Sequence, residues 1–325
     1  MTVVRIGVTL GDPAGVGPEV VLKALSAPPC GPAAAYIVFG DPAIVGRSAG
    51  ELGAKTALEP WEPSAPPAAG LYIRAVPAPP GAGGRGQVSA ANGTASFRCF
   101  ESAVAAARDG FLEAVVTAPV SKAAWRLAGL PWMGHTDYLE HEHPGAIMSF
   151  WSASLQVALF SHHVPLREAI GKVRRPALAD FLGSLHRALV RVPGGPFEIL
   201  VAGLNPHAGE EGMLGDEEER EIRPAVEDAR RAGVPVLGPF PPDTIFRLAR
   251  GRRDAVVAAL YHDQGLIGFK MEAFESGVNA TLGLPFVRTS PDHGTAFDIA
   301  GRGLADPRSM TEALRLAVSF SATAS

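Results

Sequence analysis

The chain has 325 residues, 47% of them hydrophobic and 19% charged, with a formal net charge of −4. That length allows about two domains and a sizeable core, and the balance is that of a globular protein, not a disordered one. An acidic balance without a basic stripe excludes a nucleic-acid partner, and no apolar run reaches the length of a membrane span.

The two cysteines, Cys30 and Cys99, lie far apart and give neither a disulfide framework nor a cysteine metal site; buried or half-buried thiols are expected. The N-terminus runs directly into a strand and lacks the basic flank and apolar core of a secretory signal, so a cytoplasmic location is expected.

Residues 3–10 (VVRIGVTL) read as a first strand. It runs into the Gly-rich segment GDPAGVGPE, and Pro18 begins a helix through Leu25, where proline is tolerated. The glycines at 11, 15 and 17 match neither the dinucleotide fingerprint nor a Walker loop, leaving a weak phosphate loop and a tight strand-to-helix turn as equal readings. Residues 35–40 give the next strand and 42–52 a helix. The Pro-, Ala- and Gly-rich stretch 60–86 reads as a surface excursion with one strand-like island at 71–76. A helix follows over 96–109, then a buried strand at 114–117 that leads into PVSK.

Three further apolar strands end alike. Residues 155–160 run into Ser-His-His, 199–204 into Asn-Pro-His, and 255–260 into Tyr-His-Asp. Helical patterns at 176–189 and 217–232 lie between them, the second with Pro224 inside it and Gly233 as its left-handed C-terminal residue. Short buried strands alternating with amphipathic helices imply an α/β fold with a largely parallel sheet.

Ligands of open α/β sheets bind at the carboxyl ends of the strands. His163, His207 and His262 each stand just past such an end. They are either the three imidazole ligands of one divalent ion, which suit Zn²⁺, Co²⁺ or Ni²⁺ better than Mg²⁺, or separate cleft and surface residues. Asp263 and Asp243 are candidates to orient an imidazole; Asp243 also reads as the N-cap of a helix over DTIFRLARG, ending at Gly251. His162 alternates in direction with His163, so at most one of them faces a site. His141 and His143 read as solvated, and His186 as structural. Lys270, Asn279 and Arg288 are donors in a nearly neutral stretch, and with His135 and Thr136 they form a candidate phosphate or carboxylate site.

The motifs GDPAGVGPE, VTAPVSK, GHTDYLEH, SHHVPLREA, NPHAGE, GDEEEREIRPA, PPDTIF, YHDQGLIGFK and GVNATLGLPFVRTSPDHGTAFDIAG span nearly the whole chain. In this order they resemble the 4-hydroxythreonine-4-phosphate dehydrogenases of vitamin B6 biosynthesis. The resemblance implies an α/β/α architecture like that of isocitrate and isopropylmalate dehydrogenases. Two subdomains, about 1–130 with 280–325 and about 131–279, would flank a cleft. It implies a homodimer with active sites at the interface, NAD or NADP as cofactor, and a divalent metal (zinc, cobalt or magnesium) held by His163, His207 and His262 drawn from both subunits. His135, Thr136, Lys270, Asn279 and Arg288 match substrate contacts, and Asp243 and Asp263 match acids that maintain the site. The PDHGTAFDIAG segment, with His293, Gly294, Thr295 and Asp298, resembles the adenosine-side cofactor loop of the isopropylmalate-type enzymes, which have no Rossmann fingerprint. The stretches 60–86 and FWSASLQ depart from the family pattern.

The implied reaction oxidises 4-phosphooxy-L-threonine to 2-amino-3-oxo-4-phosphooxybutanoate, which loses CO₂ to give 3-amino-2-oxopropyl phosphate. Lys270, Asp263 and Asp243 are the candidate catalytic groups, with the general base open between Lys270 and an aspartate of the metal site. The alternatives are a paralogue acting on D-threonate or D-erythronate 4-phosphate, a metal-dependent hydrolase built on the same histidines, and a binding module without turnover.

Overall fold

The computed structural model describes residues 3–28, 34–54, 56–63 and 67–322; Cys30 lies outside them. In chain order the strands are β1 (Val4–Thr9), β2 (Ala34–Gly40), β3 (Glu59–Pro60), β4 (Gly70–Ala75), β5 (Ala114–Thr117), β6 (Ile147–Trp151), β7 (Gln156–Leu159), β8 (Glu198–Ala202), β9 (Val236–Phe240), β10 (Ala255–Ala259), β11 (Val278–Leu282) and β12 (Val287–Pro291). The helices are α1 (Gly17–Ser26), α2 (Pro42–Leu52), α3 (Ala90–Arg108), α4 (Lys122–Leu127), α5 (His135–Glu142), α6 (Leu166–Lys172), α7 (Arg175–Leu189), α8 (Arg223–Arg231), α9 (Ile245–Ala249), α10 (His262–Ala273) and α11 (Arg308–Ser321). The fold is α/β. The chain divides into two compact units, Met1–Glu142 with Leu284–Ser325, and His143–Gly283.

In the first unit the strands run in the order β3-β4-β2-β1-β5-β12, and every pair is parallel. The central strands are buried on both faces, which is why 34–40 and 114–117 read as unbroken apolar runs. Consecutive residues of β12 show the two covered faces. Thr289 donates its hydroxyl to the Ala313 carbonyl of α11 at 2.8 Å, while Arg288 reaches Thr117 on the opposite side. The island at 71–76 is a strand of this sheet, next to the two-residue edge strand β3: β4 pairs with β2 from Ala35↔Gly70 to Gly40↔Ala75, and with β3 at Tyr72 and Ile73.

The chain after β4 runs over the surface, as expected, and is fastened to the body of the unit. Arg85 donates to the Pro13 carbonyl at 3.0 Å and to Ser48 at 2.8 Å, and Gly83 N–H meets the buried Asn92 side chain at 2.7 Å. Helix α3 begins at Ala90, earlier than residue 96, because Ser89 caps it and accepts from Asn92 N–H. Gly93 permits this extension: a Cβ there would lie 2.1 Å from the Ala124 carbonyl oxygen of α4.

The Gly-rich segment is a packed strand-to-helix turn. Gly11 has φ +69° and would place a Cβ 2.3 Å from the Pro119 carbonyl, and Gly17 would place one 2.2 Å from the Leu10 carbonyl. Gly15 lies against Thr295, whose carbonyl accepts from Val16 N–H at 2.9 Å. The glycines are therefore explained by close backbone approach.

In the second unit the order is β11-β6-β7-β10-β8-β9. The strands β7, β10, β8 and β9 are parallel, whereas β6 is antiparallel to both of its neighbours. The FWSASLQ stretch forms the β6–β7 hairpin, with the Ser152 hydroxyl accepting from Ser154 N–H and Leu155 N–H. Leu155, Val157, Leu200, Val257 and Phe269 lie in one buried cluster beneath the sheet. Between 217 and 232 a π-turn at Glu218–Ile222 gives way to α8 where Pro224 stands in the first helical turn, and Gly233 adopts φ +87°. The expected cap at Asp243 is not formed. Helix α9 starts later, at Ile245, with Thr244 at its N-cap and no side-chain cap bond, because Pro241 and Pro242 hold the preceding chain in a turn whose Pro241 carbonyl accepts from Thr244 and Ile245 N–H.

Candidate active site

The first unit builds its site at the carboxyl end of β5 and on neighbouring β12. Thr117 is the last residue of β5, and Arg288 lies in register with Val115, so their side chains share one face. Arg288 is 3% exposed and donates through Nη2 to Thr117 Oγ1 at 2.7 Å. The same Nη2 lies 3.5 Å from His135 Nδ1 at the start of α5. Burial lowers the Arg288 pKa to about 10, far enough above neutral that the group stays a cation. His135 is 8% exposed, and burial, reinforced by the guanidinium, holds its pKa well below the usual imidazole value. It is therefore a neutral ring. With a donor facing Nδ1, the proton belongs on Nε2.

That Nε2–H is buried and has no hydrogen-bond partner among the described residues. The ring is held from the sides by Phe100, centroid to centroid 4.5 Å, and Trp125 at 5.4 Å. Trp125 is itself fixed by donating to Ser96 at 2.9 Å. A cation and an unspent N–H donor, both withdrawn from water, form a receptor for an anionic oxygen. Thr136 follows His135 in the first turn of α5 and is half-buried.

The loop after β12 carries His293, Gly294, Thr295 and Asp298. His293 and Gly294 are exposed, and His293 Nδ1 lies 3.0 Å from the Gly294 carbonyl. Asp298 is exposed, and Thr295 bonds to the Gly-rich turn as described. Next to that turn, Asp12 is fully buried. Its Oδ1 accepts from Ala14 N–H at 2.9 Å, and burial raises its pKa to about 6.

The second unit gathers its histidines at strand ends. His163 follows β7 and His207 follows β8, both with left-handed backbone (φ +50° and +54°), and His262 opens α10 after β10. The rings of His163 and His262 lie side by side, 5.7 Å between centroids, and His162 stands at 87° to His163. Two imidazoles on one tetrahedral ion, with metal–nitrogen bonds of about 2.0–2.1 Å, place their centroids roughly 5 Å apart. His262 Nδ1 lies 2.6 Å from Asp263 Oδ1, so the neighbouring carboxylate engages that nitrogen and turns Nε2 away from it. The donor chemistry of this pair fits a divalent ion. Among the described residues, however, no three His, Cys, Asp or Glu side chains of one chain stand close enough to hold one.

Lys270 is half-buried, two turns along α10 from His262, and Asn279 is half-buried on β11 opposite Phe150. Asp243 is exposed in the turn before α9. His141 is exposed and stacks on Trp132 at 4.7 Å, whereas His143 and His186 are half-buried. Thr117 and Gln264 were not singled out in the sequence; their signal was position, at the end of an apolar strand and two residues past His262.

Residues 32–317 match the family model described as pyridoxal phosphate biosynthetic protein PdxA. The chain belongs to the PdxA family. It is 42% identical over 319 residues to the 4-hydroxythreonine-4-phosphate dehydrogenase of Chromobacterium violaceum, covering 96% of this chain and 95% of that one. It is 40% identical over 322 residues to the D-threonate 4-phosphate dehydrogenase of Salmonella typhimurium, covering 96% and 98%. Among solved structures it is similar to the 4-hydroxythreonine-4-phosphate dehydrogenase of Klebsiella pneumoniae, with a TM-score of 0.86, 38% identity and coverage of 98% and 99%. These PdxA relatives are named as dehydrogenases.

Proposed function

We propose that this PdxA-family chain is an NAD(P)-dependent dehydrogenase of pyridoxine 5′-phosphate biosynthesis. It oxidises 4-phosphooxy-L-threonine to 2-amino-3-oxo-4-phosphooxybutanoate, which decarboxylates to 3-amino-2-oxopropyl phosphate. Similarity to named dehydrogenases over 96% of the chain carries the reading. The alcohol carbon gives its hydride to the nicotinamide and the hydroxyl gives up its proton. The carbonyl so formed lies β to the carboxylate, so the C–CO₂ bond breaks with its electron pair moving onto the carbonyl oxygen.

In this reading Arg288 and the Nε2–H of His135 hold the substrate phosphate, and Thr117 fixes the guanidinium. Burial makes each bond stronger than it would be in water. Thr136, Lys270 and Asn279 are the further substrate contacts. His163, His207 and His262, taken from two copies of the chain, would hold a divalent ion whose Lewis acidity lowers the pKa of the substrate hydroxyl. Asp263 orients the His262 ring through its Nδ1. His293, Gly294, Thr295 and Asp298 form the adenosine side of the NAD or NADP site, anchored by the Thr295–Val16 bond.

A homodimer is supported by α10. Ile267, Met271 and Phe274 recur along this helix and its C-cap, 63%, 86% and 76% exposed. Three large apolar side chains in one helical stripe are what a partner surface covers. That partner would lie on the helix that His262 opens. Among the described residues no helix is long and apolar enough to cross a membrane, in keeping with a cytoplasmic enzyme.

The 40% identity to the D-threonate 4-phosphate dehydrogenase supports a second reading with the same phosphate site and a hydroxyl in place of the amine. Measuring kcat/KM for 4-phosphooxy-L-threonine, D-threonate 4-phosphate and unphosphorylated 4-hydroxy-L-threonine separates the two. The first substrate is expected to be preferred. Loss of the phosphate is expected to reduce kcat/KM by about a thousandfold, since the buried Nε2–H of His135 is left without an acceptor and the guanidinium loses its anion. A preference for the D-threonate ester would move the chain to the second reading, and indifference to the phosphate would remove the role given to Arg288 and His135.

A further inference from the structure

The turn that carries His207 has an uncommon backbone. His207, Ala208, Gly209, Glu210 and Glu211 have φ of 54°, 54°, 80°, 44° and 57° in succession. L side chains disfavour this region, and such a run persists only where the surroundings over-determine it. What surrounds it is a buried carboxylate. Glu218 is 0% exposed. Its Oε1 accepts from the Leu204 and Asn205 N–H groups, both at 2.7 Å, and its Oε2 accepts from Asn205 Nδ2 at 2.8 Å. The turn wraps closely around this group: a Cβ on Gly209 would lie 2.8 Å from Glu218 Oε2, and one on Gly203 would lie 3.2 Å from Oε1.

A second buried side chain ties the same turn to its neighbours. Gln264 is 7% exposed, donates through Nε2 to the Gly203 carbonyl at 2.7 Å, and accepts through Oε1 from Leu260 N–H at 2.7 Å. The Leu260 carbonyl in turn accepts from Ser161 Oγ at 2.8 Å. Ser161 precedes His162 and His163, Leu260 lies two residues before His262, and Gly203 to Asn205 lead into His207. One buried polar chain therefore runs across the ends of β7, β10 and β8 and reaches each turn that bears a histidine. Buried polar groups are tolerated when their bonds are made, and in exchange they specify geometry that apolar packing leaves loose.

We infer that Glu218 is a positioning residue that holds the left-handed turn presenting His207, and that Gln264 couples that turn to the His262 turn. This inference rests on the reading of His207 and His262 as metal ligands. Its test does not use turnover. Metal-free full-length protein is titrated with Co²⁺, and affinity and the visible Co²⁺ spectrum are recorded for wild type, His207→Ala, Glu218→Ala, Glu218→Gln, Gln264→Met and Asn205→Ala. Thermal melts without metal are taken in parallel. Outer groups that orient metal ligands typically contribute tenfold to a hundredfold in affinity.

Glu218→Ala and Gln264→Met are expected to weaken Co²⁺ binding by about that range and to change the spectrum. Glu218→Gln keeps an oxygen for the two backbone N–H groups and is expected to recover part of the loss. If Glu218→Ala does not fold, the isosteric Glu218→Gln and the Asn205→Ala variant decide, each expected to bind Co²⁺ several-fold more weakly than wild type. Unchanged affinity and spectrum in the folded Glu218 variants, while His207→Ala loses binding, would overturn the inference and leave the metal reading standing. Wild-type binding by His207→Ala would overturn both.

Discussion

Arg288 and His135 divide one task by burial. The guanidinium keeps its charge at any physiological pH, whereas the imidazole is kept neutral and offers a single donor. Arg288→Lys retains a cation but loses the fork that meets Thr117, so KM for the phosphorylated substrate is expected to rise at least about tenfold with a smaller change in kcat. Thr117→Val removes one charge-assisted hydrogen bond from the guanidinium and is expected to raise KM by about tenfold; steady-state kinetics measures both. Asp12 makes a prediction about stability. Burial lifts its folded pKa to about 6, above the ordinary aspartate value, so the folded state binds the proton more tightly than the unfolded chain does. Its contribution is fully present below the unfolded pKa and is lost as the pH rises through the folded one. Above that pH the buried carboxylate costs up to about 3 kcal/mol, and Asp12→Asn is expected to recover much of it. Denaturant unfolding of both proteins should show the gap widening between pH 4 and pH 7; a gap independent of pH would contradict the assignment. Arg288 and His135 were readable in the sequence because charged and imidazole groups beside apolar strands are conspicuous. Thr117 was not, since a threonine at the end of a strand has no mark that separates it from any other.

Among the elements, those with unbroken apolar runs or clear helical spacing were legible: β1, β2, β5, β10, α2 and α7 lie close to where the periodicity put them. The ones that escaped have physical reasons. β6, β11 and β12 carry buried polar residues, Ser149, Thr281 and Thr289 among them, the first and last hydrogen-bonded to backbone carbonyls, so they lack the expected apolar signature. The first turns of α3 escaped because Gly93 reads as a break, whereas its work is to let α4 approach. Gly93→Ala drives a methyl group into the Ala124 carbonyl and is expected to destabilise the protein by on the order of 3 kcal/mol, measured by urea unfolding. A loss below 1 kcal/mol would mean the α3–α4 contact yields easily. The Gly-rich turn after β1 shows the converse limit. Spacing alone left it between a phosphate loop and a tight turn, and only the carbonyls of Leu10, Pro119 and Thr295 pressed against its glycines explain all three.

For the whole molecule, the sequence carried the family and the α/β class through motifs spread along its length, but the proposal that two chains share one donor set needs a test on the assembly. The exposed stripe on α10 supplies that test. Met271→Glu is expected to shift the protein from dimer to monomer in light scattering and to weaken Co²⁺ binding with it; a monomeric variant that binds Co²⁺ as wild type does would remove the partner from the metal site. The central claim is the oxidation itself. Absorbance at the reduced-nicotinamide band should be followed with metal-loaded protein, 4-phosphooxy-L-threonine and NAD⁺ or NADP⁺, with and without a chelator. A rise is expected that the chelator abolishes and that Zn²⁺ or Co²⁺ restores. No rise with either cofactor, whichever of Zn²⁺, Co²⁺ and Mg²⁺ is supplied, would contradict it.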